Sequence, residues 1–74
     1  MEYDYSKLLG RIKEICGGQH DFAERMGLSD RTVSLKLNNR IPWKQTEMQR
    51  AIQILELSPS DIQLYFFTLK VQSA

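Results

Sequence analysis

Cys16 and His20 are the one cysteine and the one histidine of this 74-residue chain, four residues apart across Gly17-Gly18. A metal site needs three or four ligands of these types, so the pair cannot hold one. Nucleophilic catalysis would need a base, a third orienting group and a pocket, and no such set is legible. The two read instead as a small buried hydrophobe and a surface or capping residue. No glycine-rich phosphate loop and no carboxylate pair in a cleft is legible either. No enzyme, metal, cofactor or small-molecule ligand is therefore expected. What remains is charge. The formal net charge is only +1, yet residues 31–50 carry five basic side chains (Arg31, Lys36, Arg40, Lys44, Arg50) against one acid, Glu47. That middle is +4 and the two ends together are −3. A local basic cluster attracts a polyanion even when the whole chain is nearly neutral. A solvated charged face is the alternative.

The elements that position these residues follow from spacing. Tyr5, Leu8, Leu9, Ile12, Ile15 and Cys16 recur at helical intervals, so residues 5–16 read as an amphipathic helix with Ser6 as N-cap. Gly17-Gly18 end it. Residues 19–26 read as a second helix with Phe22, Ala23 and Met26 inward and Gly27 as its left-handed stop. Ser29 caps a third helix over residues 29–37, with Val33 and Leu37 inward and Asp30 at the positive end of its dipole. Two short helices joined by a tight turn over residues 19–38 form a helix-turn-helix pattern, in which the first braces the second. The basic cluster coincides with that second helix and the loop after it, which favours the polyanion. Pro42 keeps Ile41 out of a helix. A fourth helix is expected over residues 44–55, on Met48, Ala51, Ile52 and Leu55. Ser58-Pro59-Ser60-Asp61 opens a fifth that carries Ile62, Tyr65 and Phe66 and fades near Phe67. The tail from Thr68 alternates apolar and polar residues, as an extended segment would. The chain thus reads as one all-α domain, a compact bundle of five short helices.

These residues resemble the lambda-repressor-like helix-turn-helix family, which includes the phage Cro and repressor DNA-binding domains. The matching features are Gln19, Phe22-Ala23, Gly27, Leu28-Ser29, Thr32-Val33-Ser34 and Leu37-Asn38, and nearly the whole chain fits the five-helix layout. The runs TVSLKLNNR and PWKQTE look like small Cro-like prophage regulators of Gram-positive bacteria. One position departs: three residues after Val33 the family usually has an apolar residue, and here it is Lys36. Leu37 is then expected to take the inward contact, leaving Lys36 beside the phosphates with its stem on the protein.

The resemblance implies a sequence-specific DNA-binding regulator, probing operator DNA with the exposed face of the second motif helix. Here that face offers Ser29, Asp30, Arg31, Ser34 and Leu35. The fork of Arg31 matches guanine O6/N7; a salt bridge to Asp30 or Asp21, or a phosphate contact, is its alternative. Leu35 meets either a thymine methyl or a neighbouring helix. Asp30 fits cytosine N4 less well than a capping role, and Ser34 suits either partner. Gln19, Lys36, Asn38, Asn39, Arg40 and Lys44 are expected at phosphates, and Trp43 in the core. Tyr65, Phe66, Phe67, Leu69 and Val71 exceed what one helix face can bury, which suggests a homodimer surface or a tail folded over a monomer's core. The rival reading is an antirepressor or antitoxin of the same fold that binds a partner protein through this aromatic C-terminus. No apolar run is long enough to span a bilayer, and no secretory pattern opens the chain. With one cysteine and no export signal, the cytoplasm of a bacterial host is the expected compartment.

Overall fold

The computed structural model describes residues 2–71 and consists of five short α-helices: α1 (Ser6–Cys16), α2 (Gln19–Met26), α3 (Asp30–Leu37), α4 (Gln45–Ile54) and α5 (Ile62–Phe66). A single 3-10 turn, Pro59–Asp61, leads into α5. Leu8, Ile12 and Cys16 form the buried stripe of α1, spaced one turn apart as amphipathic burial requires. Ser6 is not its N-cap: it is the first helical residue, and both its amide and its hydroxyl donate to the Asp4 carboxylate. Those hydrogen bonds hold the Asp4 carboxyl below its ordinary value. The caps expected at Ser29 and Ser58 are present, each hydroxyl accepting an amide of the following turn. Lys44 is the N-cap of α4 rather than its first residue.

Two arginines close helix C-termini, whose last carbonyls have no partner within the helix. Arg11 Nε donates to the Leu55 carbonyl at 2.9 Å, pinning α1 to the end of α4. Arg50 Nη1 donates to the Met26 carbonyl at 3.0 Å, pinning α4 to the end of α2. Between them lies the apolar core, with Leu8, Phe22, Ala23, Val33, Ala51 and Leu55 essentially inaccessible. Ala23 and Val33 lie where α2 meets α3; burial of both leaves no room there for larger side chains. Trp43 joins this core from the α3–α4 loop, edge-on to Phe22 (6.4 Å between centroids) and to Phe66 (5.4 Å). Phe66, expected at a dimer surface, is therefore core, only 2% exposed.

Among the described residues no strand is formed. The C-terminal segment is extended as expected, but it is engaged: Leu69 makes an isolated antiparallel bridge with Tyr3. The Asp4 amide donates to Thr68 O at 2.7 Å and the Lys70 amide to Glu2 O at 3.1 Å. Residues 72–74 of the expected tail lie outside the described residues. Asn39 extends this clasp, its side-chain amide accepting from Tyr3 N (2.9 Å) and donating to Tyr3 O (3.0 Å).

Gly27 sits at φ 73°, the left-handed geometry that ends α2, and its own amide and that of Leu28 return to Glu24 and Ala23 carbonyls. A Cβ there would meet Arg50 Nη1 at an ordinary 3.5 Å, so backbone strain is the cost. Gly10 lies in the exposed middle of α1, with nothing within 4 Å of an added Cβ. One substitution should therefore act with opposite signs. Gly27→Ala should cost about 1–2 kcal/mol and Gly10→Ala should gain about 0.5–1 kcal/mol, measured by urea unfolding.

Candidate nucleic-acid interface

The turn of three residues between α2 and α3 turns the chain sharply and leaves the N-terminal part of α3 outward. Ser29 fixes that end: its hydroxyl accepts from Thr32 N at 3.1 Å and donates to Thr32 Oγ1 at 2.9 Å. On the outward face, Asp30 and Arg31 are exposed, while Ser34 and Leu35 are half-buried. Asp30 does not pair with Arg31. Its carboxylate meets His20 Nδ1 at 2.9 Å, across from the first turn of α2, and His20 Nε2 meets Glu24 at 3.2 Å. Arg31 is thus left without an ion pair among the described residues. The hydrogen bond His20 donates to Asp30, then the charge of Asp30 and that of Glu24, raise the His20 pKa above its ordinary 6.5.

The six side chains expected at phosphates separate into two groups. Arg40 and Lys44 are exposed and unpaired among the described residues, and Gln19 opens α2 half-buried. Asn39 is held by the Tyr3 backbone, and Asn38 Nδ2 folds back on the Ser34 carbonyl at 2.7 Å. Lys36 departs furthest from expectation. It is 3% exposed, and both it and Leu37 point inward. Its ammonium donates to Pro42 O at 2.8 Å, pairs with Glu47 Oε1 at 2.7 Å and lies 5.7 Å from the centre of the Trp43 ring. These contacts match an ammonium's three donors, which is why a charge can be buried here at all. Glu47 also accepts the Lys44 amide at 2.8 Å, so one carboxylate serves the buried cation and the start of α4. Burial pushes the Glu47 carboxyl up, but the hydrogen bonds from Lys36 and the Lys44 amide outweigh it and leave the carboxyl below its ordinary value. Spacing carried a signal for this: position 36 falls on the inward stripe with Val33 and Leu37, and an acid waits on the next helix.

Of the five cations between residues 31 and 50, two are thus turned to structure, Lys36 to Glu47 and Arg50 to Met26 O. Arg31, Arg40 and Lys44 remain outward along α3 and the loop after it. Carboxylates of Glu24 and Asp30 share the front of the motif with them, each drawn to His20. Of the residues expected at a dimer surface, Tyr65 is half-buried, while Phe67 and Leu69 are 44% and 47% exposed and Val71 is almost fully so.

A family model described as "Protein of unknown function (DUF739)" matches residues 1–69. The solution structure of the modulator of repression (MOR) of the temperate bacteriophage TP901-1 from Lactococcus lactis is 58% identical to this chain. The similarity covers 97% of each chain, with a TM-score of 0.81. No curated protein matches the sequence.

Lys36→Ala should strand Glu47 and cost about 3 kcal/mol, whereas Lys36→Met with Glu47→Gln should recover most of that loss, because uncharged partners need no compensation. Chemical denaturation of the three proteins checks this. For His20 the folded pKa is raised, so its contribution is fully present below pH 6.5 and is lost as pH rises through the folded value. The melting temperature should therefore decline as pH rises above 6.5 in the parent more than in His20→Gln.

Proposed function

This chain belongs to the family described as "Protein of unknown function (DUF739)", and from that membership we propose that it is a phage or prophage regulator acting on the repression that separates lysogenic from lytic growth. The similar protein named a modulator of repression supports this, being nearly co-extensive with the chain. The route we propose is a lambda-repressor-like helix-turn-helix binding operator DNA, in the manner of a small Cro-like repressor in the bacterial cytoplasm. One observation carries it: α3 is capped by Ser29 and presents Arg31 outward, without an ion pair among the described residues, at its N-terminal end, where a recognition helix meets base edges. Arg31 would read a guanine, with Leu35 against a neighbouring thymine methyl. Gln19, Arg40 and Lys44 would hold phosphates on either side. Pairing of two copies through Phe67, Leu69 and Val71 would set two such helices about 34 Å apart, one per major groove.

A second reading has its own support. Glu24 and Asp30 place carboxylates at the front of the motif, where phosphates would be repelled. Together with the exposed apolar C-terminal residues, this favours contact with a partner protein, as an antirepressor would make. Salt separates the two. If α3 binds duplex DNA, affinity should fall steeply between about 50 and 200 mM salt. Arg31→Ala should cost about 1–3 kcal/mol and relax one operator position, while Lys44→Ala should weaken all sequences alike. Selection from a random duplex pool followed by salt titration reads both. Failure to retain any duplex, including that from the protein's own genomic neighbourhood, at about 50 mM salt would exclude the DNA route.

A further inference from the structure

A groove on the flank of the bundle is used by neither Arg31 nor the outward face of α3. It runs between the N-terminal segment, the α3–α4 loop and the end of α5, and holds about 290 Å³. Tyr3 and Phe67 meet edge-on at 5.8 Å along one wall. Ile41 and Pro42 line it from the loop, and Met48 from α4. Past Met48 and Phe67 it continues into a second depression beside Ile62. Its rim leaves Ile41 and Phe67 36% and 44% exposed. Aromatic, methionine and arginine side chains around an apolar hollow are the composition of a protein-interface centre.

The charge of the groove selects its occupant. The Asn39 amide is engaged at both ends by Tyr3, and the Pro42 carbonyl by Lys36. The one charged side chain in the lining is Arg40, exposed, without an ion pair among the described residues, and able only to donate. We infer that this groove docks a segment of a partner protein that presents an apolar or aromatic side chain beside a carboxylate. The apolar side chain fills the hollow against Tyr3, Met48 and Phe67, and the carboxylate pairs with the Arg40 guanidinium. A single-stranded nucleic acid would need a run of cations to follow its backbone, and the groove has one. The exposed apolar segment of a second copy carries Lys70 between Leu69 and Val71, the wrong charge for Arg40. The inference holds whether or not α3 meets DNA, and it excludes pairing of two copies through Phe67.

The test uses the full chain, isotopically labelled, with blocked peptides of about ten residues bearing one leucine or phenylalanine between two glutamates. Matched peptides with lysines in place of the glutamates and a thymidine oligonucleotide are the comparison probes, each added to about 1 mM. Glutamate peptides should give saturable NMR shifts at Tyr3, Ile41, Met48 and Phe67 and leave Arg31 unmoved. Arg40→Glu should weaken them about tenfold and admit the lysine peptides. Phe67→Ser should abolish binding while keeping a dispersed spectrum; Ile41→Ser gives the same readout should that variant unfold. The inference is overturned if no peptide produces saturable shifts at these residues, or if lysine and glutamate peptides bind the parent equally. Shifts at the same residues from the oligonucleotide, or from self-association on raising protein concentration, overturn it as well.

Discussion

The ammonium of Lys36 lies inside the protein, and much of the geometry follows from how it is satisfied. It links the last turn of α3 to the Pro42 carbonyl, to Glu47 on α4 and to the face of Trp43. Trp43 in turn meets Phe22 of α2 and Phe66 of α5, so four of the five helices converge on the surroundings of one charge. An apolar residue at position 36 would fill the same space, but it would not dictate where the loop carbonyl and the α4 carboxylate must lie. A buried charge tolerates few arrangements, because each donor left empty costs free energy. The α3–α4 loop is thereby held to one path, and with it the direction in which Arg40 and Lys44 project.

That arrangement also sorts the positive charge. A basic stretch read as a uniform patch becomes three outward cations and two internal fasteners. The outward three follow α3 and its loop; Glu24 and Asp30 sit nearby, bridged by His20. The front of the motif is thus mixed in sign, and its field is weaker than residue counting suggests. The proposed regulation of repression is compatible with contact to DNA, to protein, or to each by a different face. The aromatic groove is separate from α3, and Tyr3, which Asn39 holds along it, also bridges to Leu69 in the C-terminal segment.

Much of the helical architecture was legible in sequence order. All five helices, the stops at Gly17 and Gly27 and the caps at Ser29 and Ser58 depend on residues within about one turn of each other, where spacing and capping chemistry act directly. The candidate site was legible in part. Arg31, Arg40 and Lys44 stand outward as the pattern implied, whereas Lys36 and Asn39 are held by groups elsewhere in the fold and the exposed Asn38 bonds back to Ser34. Phe66 was set among interface residues because the aromatic run looked excessive, but Trp43 supplies the partner that buries it.

The sequence by itself determined which segments are helical and how the two motif helices are spaced, since both rest on short-range periodicity. Only the tertiary structure decided which polar side chains face solvent. Lys36 finds its carboxylate on the next helix, and Asn39 finds Tyr3 36 residues away. A polar side chain turns inward when a complementary group arrives from elsewhere in the fold, and such pairings leave no periodic trace along the chain.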